Sequence, residues 1–252
     1  MTNYRTDFEP SEYLSRFYKE PDPEDRFTIK FMVESLRNMS PKLHILELGG
    51  GPTLFVVATI APYAKEIHFC DYAETNLNEV KLWLNNNPKA FNWHPYIKMV
   101  LEEENTTVTP QTIEERAVMM RKKVTRLMVC DAAANEPLGQ CVDKPYDLII
   151  AQASTDAAVK TVPEWQAVIH NIAHKLIRPG GWLLISVITG TKGYIVGDTC
   201  FEVPPLTNTD IYNGYIAAGF NPDTFQIETM ATSGDREYFG ISTAVAQKLA
   251  VG

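Results

Sequence analysis

Hydrophobic positions in this chain switch repeatedly between the short apolar runs of strands and the three- to four-residue spacing of helices. Tyr4, Phe8, Tyr13, Phe17 and Tyr18 lie among charged residues ahead of a break at Pro21 and Pro23, and Phe27, Phe31, Val33 and Leu36 then follow at helical spacing. His44-Ile45-Leu46-Glu47-Leu48 is strand-like and stops at Gly49-Gly50-Gly51-Pro52. A helix is expected to open with Pro52 near its first turn, where the missing N–H does no harm. Residues 67–70 read as a second strand ending at Asp71, and Leu77, Val80, Trp83 and Leu84 as the helix after it. Leu127–Cys130 reads as a buried strand ending at Asp131, and Tyr146–Ala151 as another. Trp165, Val168, Ile169, Ile172 and Leu176 mark one helical face, which Arg178-Pro179-Gly180-Gly181 terminates before a strand over Trp182–Ile188. The tail reads as a helix near 207–217 and strands near 223–231 and 237–247. Residues 102–123, acidic and then basic, look like an insertion between sheet elements. Alternation of this kind predicts an α/β fold, a parallel sheet with helices on both faces.

Length and composition narrow the picture. At 252 residues, with no repeat or Gly/Ser-rich linker, the chain is expected to form a single domain over 1–252. Hydrophobic residues at 45 % and charged at 21 % describe an ordinary globular chain. Lys+Arg 23 against Asp+Glu 31 leaves −8, a poor balance for a phosphate-binding surface, so no nucleic-acid partner is expected. The longest uncharged run, Leu48 to Ala64, holds three Gly and two Pro and is short for a bilayer. No membrane association is expected. Residues 1–10 lack the apolar stretch of a secretory signal, and a cytoplasmic location is the expectation. Nothing demands more than a monomer. Cys70, Cys130, Cys141 and Cys200 lack any CxxC spacing, so reduced structural cysteines and no metal site are expected. His170 and His174, four apart, lie opposite the apolar helix face and read as a solvated pair.

Candidate chemistry sits at the strand ends. In parallel sheets ligands bind beyond the carboxyl ends of the strands, at the switch in strand order. Gly49–Gly51, Asp71, Asp131 and Ala151–Ser154 should therefore converge on one crevice. Asp71 follows Gly49 by 22 residues, near the spacing that sets a carboxylate on a ribose diol. The third glycine of a dinucleotide loop is replaced by Leu54, and no Gly-Lys-Ser/Thr follows for a phosphate loop. An adenosyl ligand without phosphate, S-adenosylmethionine, fits better. Helix-start roles for Asp71, Asp131 and Asp156 are the structural alternatives.

The chain resembles the family of nicotinamide, phenylethanolamine and indolethylamine (thioether) methyltransferases, from about Phe8 to Lys248. The resemblance is carried by Glu12-Tyr13-Leu14 with Tyr18, Leu48-Gly49-Gly50-Gly51-Pro52-Thr53, Asp71-Tyr72 with Asn76-Leu77, and Ala90-Phe91-Asn92-Trp93. Cys130-Asp131, Asp156-Ala157-Ala158, Arg178-Pro179-Gly180-Gly181 and Tyr194-Ile195-Val196-Gly197 add to it. The glycine loop is common to class I methyltransferases, whereas Asp-Tyr-x-x-x-Asn and Ala-Phe-x-Trp are specific to this family. The resemblance implies a Rossmann-like class I fold with a mostly parallel seven-stranded sheet, an N-terminal helical lid (1–38) and a core over 39–252.

It also implies roles. Tyr13 and Tyr18 would close over the cofactor. Gly49, Gly51 and Thr53 would surround its methionine end, and Asp71, Tyr72 and Asn76 the ribose and adenine edge. Asp131 with Ala132 would meet the adenine amine, and Gln152 the cofactor near the reacting methyl. Asp156, Thr191 and Tyr194 would face the substrate, with Asp156 as the catalytic candidate. One departure stands out: counting back from Tyr194, the Asp-Ala pair of nicotinamide N-methyltransferase falls on Val187 and Ile188. The carboxylate that would recognise a carboxamide is absent. The expected reaction is direct in-line methyl transfer from S-adenosylmethionine, leaving S-adenosylhomocysteine, to the nitrogen of a small aromatic or heterocyclic amine. S- or O-methylation of a small thiol or hydroxyl, a non-catalytic cofactor-binding subunit and a nicotinamide-dinucleotide dehydrogenase are the alternatives.

Overall fold

The computed structural model describes residues 4–139, 144–196, 198–232 and 238–250. Cys141 and Gly197 lie outside the described residues. Seven strands form one sheet: β1 (Leu43–Leu48), β2 (Ala64–Asp71), β3 (Val124–Val129), β4 (Tyr146–Gln152), β5 (Ile177–Thr189), β8 (Gln226–Ala231) and β9 (Gly240–Gln247). Their order is β3-β2-β1-β4-β5-β9-β8. The first five run parallel, and β9 lies antiparallel to both β5 and β8. Strand order reverses between β1 and β4, which sets the crevice at their carboxyl ends.

Helices cover both faces. α3 (Pro23–Leu36), α4 (Phe55–Ile60), α6 (His94–Glu103) and α7 (Pro110–Lys123) pack one core, with α5 (Glu74–Leu84) beside them. α8 (Val162–Asn171), a π turn over Ile172–Leu176 and α9 (Asn208–Ala217) pack the other. Burial on both faces explains why β1 and β4 are near-continuous apolar runs. Four helices start at capping boxes, Asp22 with Asp25, Thr109 with Thr112, Thr161 with Glu164 and Thr207 with Asp210. Each N-cap side chain satisfies backbone donors that the first turn leaves open, an arrangement that contributes about 1 kcal/mol.

The structure departs from the sequence expectations in three places. The helix after the glycine loop starts at Phe55, not near Pro52, because Gly51 and Pro52 are still turning the chain. β3 is an edge strand of the sheet rather than a buried one, and Val129 is 50 % exposed. α3 belongs to the core layer, with Ile29, Met32 and Leu36 fully buried. α1 (Tyr4–Asp7) and α2 (Pro10–Phe17) precede it in the chain, and Leu14 of α2 packs into the same core. A hairpin of β6 (Gly193–Val196) and β7 (Thr199–Glu202) meets α1, where Phe8, Val196 and Phe201 form a small separate cluster. Residues 102–123 do lie between sheet elements. They close α6 and form α7, whose Ala117 and Met120 are fully buried.

Cys70 and Cys130 are buried free thiols, and Cys200 is a free thiol at the surface. His170 and His174 stack on each other in the open, with ring centroids 3.9 Å apart. No helix among the described residues is long and apolar enough to cross a membrane.

Candidate active site

β1 runs directly into Gly49-Gly50-Gly51, where glycine is needed for two reasons. Gly49 and Gly51 have φ of +69° and +61°, the region that L side chains avoid. A Cβ on Gly49 would also stand 2.5 Å from Ser154 Cβ. The glycine loop and the end of β4 thus touch across the strand-order switch. Gly49 and Gly50 donate their N–H groups to Cys70 O at 2.9 and 3.1 Å, and Gly51 donates to Asp71 Oδ2 at 2.8 Å. The Thr53 hydroxyl donates to Gly50 O at 2.8 Å and closes the turn.

Asp71, only 3 % exposed, ties the loop to the next helix. Its Oδ1 accepts from Ala73 N–H at 2.8 Å and from Asn76 Nδ2 at 2.9 Å. Burial pushes the carboxyl pKa up while these donors and Gly51 pull it back. Ala73, not Asp71, is the N-cap of α5. Asn76 lies fully buried behind Asp71, and its Nδ2 also donates to Tyr4 Oη at 3.3 Å. It orients Asp71 and touches neither of the cavities described next. Asp131 likewise starts no helix; its Oδ1 accepts from Ala133 N–H at 3.0 Å in a turn.

Two cavities meet at this loop and share Tyr4, Gly49 and Ala153. The larger, about 270 Å³, is bordered by Asp71, Tyr72, Asp131 and Ala132. The smaller, about 110 Å³, is bordered by Tyr13, Tyr18, Gly51, Thr53, Gln152, Asp156 and Tyr194. The strand ends named from sequence do converge on one crevice. Thr191 does not join them. Its hydroxyl is used on Gly193, donating to the carbonyl at 2.9 Å and accepting from the N–H at 3.2 Å.

Asp156 is 1 % exposed in a turn over 155–158, well before α8, so the helix-start alternative does not hold. Its Oδ2 accepts from Ile188 N–H at 3.1 Å, while Oδ1 has no hydrogen-bond partner. Burial raises its pKa to about 6, against the pull of backbone donors from Ile188, Asp156 and Ala157. Gln152 Oε1 is a second buried acceptor without a partner on the same cavity. Two orphaned acceptors in one small cavity are costly unless a ligand brings donors to them. The walls are aromatic: Tyr13 lies 5.5 Å from Tyr18, and Tyr18 stacks on Phe55 at 5.8 Å. Burial raises the Tyr13 hydroxyl to about 12 and Tyr18 and Tyr194 well above their ordinary value, so all three stay neutral.

Several residues of the site were not singled out from sequence. Asp22, Glu24 and Asp25 border the smaller cavity. Asp25 Oδ2 accepts from Tyr96 Oη at 2.8 Å, and Tyr238 Oη donates to Glu24 Oε2 at 2.7 Å. Ile241 supplies apolar wall beside Ile188, the position already marked from sequence as lacking a carboxylate. Glu47 lies fully buried under the loop with both carboxylate oxygens unpartnered, and burial pushes its pKa well up. A Cβ on Gly50 would stand 2.8 Å from Glu47 Oε1. The signal for Glu47 was a lone acid inside an apolar strand.

The residues present fit an adenosyl cofactor. The glycine cradle admits no side chain, Asp71 and Asp131 border the larger cavity, and orphaned acceptors face the smaller one. Fold and site together define a class I, Rossmann-like methyltransferase that uses S-adenosylmethionine. The family model for the NNMT/PNMT/TEMT family matches residues 1–249, and the chain belongs to that family. It is similar to nicotinamide N-methyltransferase of Homo sapiens, 27 % identical over 98 % of this chain and 95 % of the relative. Indolethylamine N-methyltransferase of Oryctolagus cuniculus is 29 % identical over 86 % of this chain and 84 % of its own. Among solved structures, an S-adenosylmethionine-dependent methyltransferase from Clostridium acetobutylicum shares the fold at TM-score 0.57 and 11 % identity, covering 94 % of this chain and 96 % of its own.

Proposed function

We propose that this protein methylates the nitrogen of a small aromatic or heterocyclic amine, with Asp156 as the group that receives it. The observation carrying this reading is the pair of buried, unpartnered acceptors, Asp156 Oδ1 and Gln152 Oε1, on one aromatic-walled cavity. Bound S-adenosylmethionine supplies a methyl group activated on a sulfonium. Asp71, Tyr72, Asp131 and Ala132 would hold the adenosyl part, and Gly49, Gly51 and Thr53 the methionine end. Gln152 would lie near the reacting methyl and Tyr194 would contact the acceptor. Asp156 accepts an N–H, holds the lone pair in line and offsets the positive charge that grows on nitrogen. The walls exclude water, so alignment and a fixed carboxylate do most of the work. With Ile188 on the wall in place of a carboxylate, the cavity suits an amine-bearing ring better than a carboxamide.

A turnover screen tests this. Arylalkylamines and amino-substituted heterocycles are expected to consume S-adenosylmethionine, and matched thiols and phenols to do so at least tenfold more slowly. Turnover confined to thiols or phenols would assign the cavity to S- or O-methylation instead. The same reading takes the acceptor to be a free small molecule rather than nucleic acid, met by a monomer in the cytoplasm.

α1 and α2 serve as the lid in this account. Tyr4 Oη reaches Asn76, the residue behind Asp71, and Tyr4 stacks on Phe8 at 4.4 Å. Phe8 belongs to the small cluster with Val196 and Phe201, apart from both main cores. Deleting residues 1–9 should therefore cut turnover at least tenfold while the chain still unfolds in one cooperative step. A truncated chain that fails to fold, or that turns over at the parent rate, removes the lid role.

A further inference from the structure

The hairpin of β6 and β7 forms its own two-stranded sheet, separate from the seven-stranded one. A two-stranded hairpin is marginal in water unless another element packs on it. The amino-terminal segment packs on it here. Phe201, 7 % exposed, clusters with Phe8 and Val196, and its ring meets the Tyr4 and Phe8 rings edge-on at 5.6 and 5.9 Å. Across the hairpin Phe201 is in register with Tyr194, and the two rings stack at 5.5 Å. Tyr194 borders the smaller cavity and Tyr4 borders both, whereas Phe201 belongs to neither wall. α1 is held in turn to the adenosyl half. Asn76 Nδ2 donates to Tyr4 Oη at 3.3 Å, and the Arg5 guanidinium lies 4.0 Å from the centre of the Tyr72 ring.

We propose that Phe201 is a positioning residue that couples the two halves of the crevice, so that bound S-adenosylmethionine orders the Tyr194 wall. Its meaning for the acceptor rests on the smaller cavity being the acceptor's. The contacts run without a gap from Asp71 to Asn76, from Asn76 to Tyr4, from Tyr4 to Phe201 and from Phe201 to Tyr194. A cofactor filling the space beside Asp71, Tyr72 and Tyr4 fixes α1, and α1 then presents a fixed surface to Phe201. The entropy lost in ordering the hairpin falls on cofactor binding, and an acceptor meeting Tyr194 has less left to lose. By linkage the acceptor must tighten the cofactor by the same factor. Phenylalanine suits the position because one rigid ring serves three others at once, stacking on Tyr194 and meeting Tyr4 and Phe8 at its edge, with no polar group to desolvate.

Hydrogen exchange of the backbone amides of β6 and β7, with and without S-adenosylhomocysteine, is the test, paired with calorimetry for affinity. No acceptor is present, so the turnover screen succeeds or fails independently of it. In the parent, saturating S-adenosylhomocysteine should slow exchange about fivefold or more in the glycine loop and in the hairpin alike, the low end of ordinary coupling. In Phe201→Ala the loop should keep its slowing and affinity should stay within about fivefold of the parent, while the hairpin slows less than about twofold. Phe201 lies outside both main cores, so this variant should still melt cooperatively. Phe201→Leu, which keeps an apolar side chain in the cluster, should restore at least half of the parent's slowing and carries the test if the Ala variant does not fold. A residue that only stabilised the hairpin would speed exchange equally with and without the ligand and leave their ratio unchanged. Parent-like slowing of the hairpin in Phe201→Ala overturns the proposal. So does a parent hairpin that binding of S-adenosylhomocysteine leaves unprotected. A parent that binds no S-adenosylhomocysteine by calorimetry removes the adenosyl site and the coupling together.

Discussion

Replacing Asp156 with Asn is expected to slow methyl transfer about 30- to 1000-fold, or roughly 2–4 kcal/mol, while leaving cofactor affinity within threefold. Asn keeps the shape and can still accept from Ile188 N–H, the bond that fixes the carboxylate at 3.1 Å. It loses the charge on the oxygen that faces the cavity unpartnered. That charge matters most as the acceptor nitrogen becomes positive, so the loss belongs to kcat rather than to binding. The pH dependence follows from the raised pKa of about 6. With an acceptor that stays neutral throughout, the parent rate should fall as pH drops through about 6, and the Asn variant should lack that limb. Stability moves the other way. The folded chain holds a proton on Asp156 that the unfolded chain releases near its ordinary pKa of about 4, so stability falls between pH 4 and 6 as pH rises. That slope should be shallower in the Asn variant. Single-turnover rates and melting curves across pH 4–8 check both; a rate within threefold of the parent takes Asp156 out of the mechanism.

Asp71→Ala should raise KM for S-adenosylmethionine by tenfold to more than a hundredfold, since each lost charge-assisted hydrogen bond costs about 1.5–3 kcal/mol. Two effects combine. The carboxylate bordering the larger cavity disappears, and the Gly51 N–H loses the acceptor that pins the glycine loop. Asn76→Ala, which removes only the orienting amide at 2.9 Å, should have a smaller effect in the same direction. Steady-state kinetics on protein with a confirmed cooperative melt checks this. Equal KM values for parent and Asp71→Ala would move the adenosyl site elsewhere.

What could be read from the sequence divides along a physical line. Period-two and period-3.6 patterns are local, so the parallel strands, the helix faces and the loop at Gly49–Gly51 were legible without coordinates. Chemistry at strand ends follows from topology, which is why Asp71, Asp131 and Gln152 border two cavities that share Gly49, while Asp156 was named only through the family resemblance. Long-range geometry was not legible. Nothing local marks β3 as an edge strand, because Leu127–Cys130 is as apolar as a central strand would be. Asp22 and Asp25 cap the start of α3, and that they also border the smaller cavity depends on how that helix packs. Thr191 looked available until the β6–β7 hairpin placed its hydroxyl on Gly193.

The central claim is that one crevice holds the adenosyl group in its Asp71 half and the acceptor in its Asp156 half. Calorimetric titration with S-adenosylhomocysteine, run on the parent, Asp71→Ala and Asp156→Asn, tests it most directly, with NAD as the comparison ligand. The account predicts one S-adenosylhomocysteine per parent chain, binding at least tenfold weaker in Asp71→Ala, parent-like binding in Asp156→Asn, and no saturable binding of NAD. NAD binding in place of S-adenosylhomocysteine, or undiminished affinity in Asp71→Ala, would contradict it.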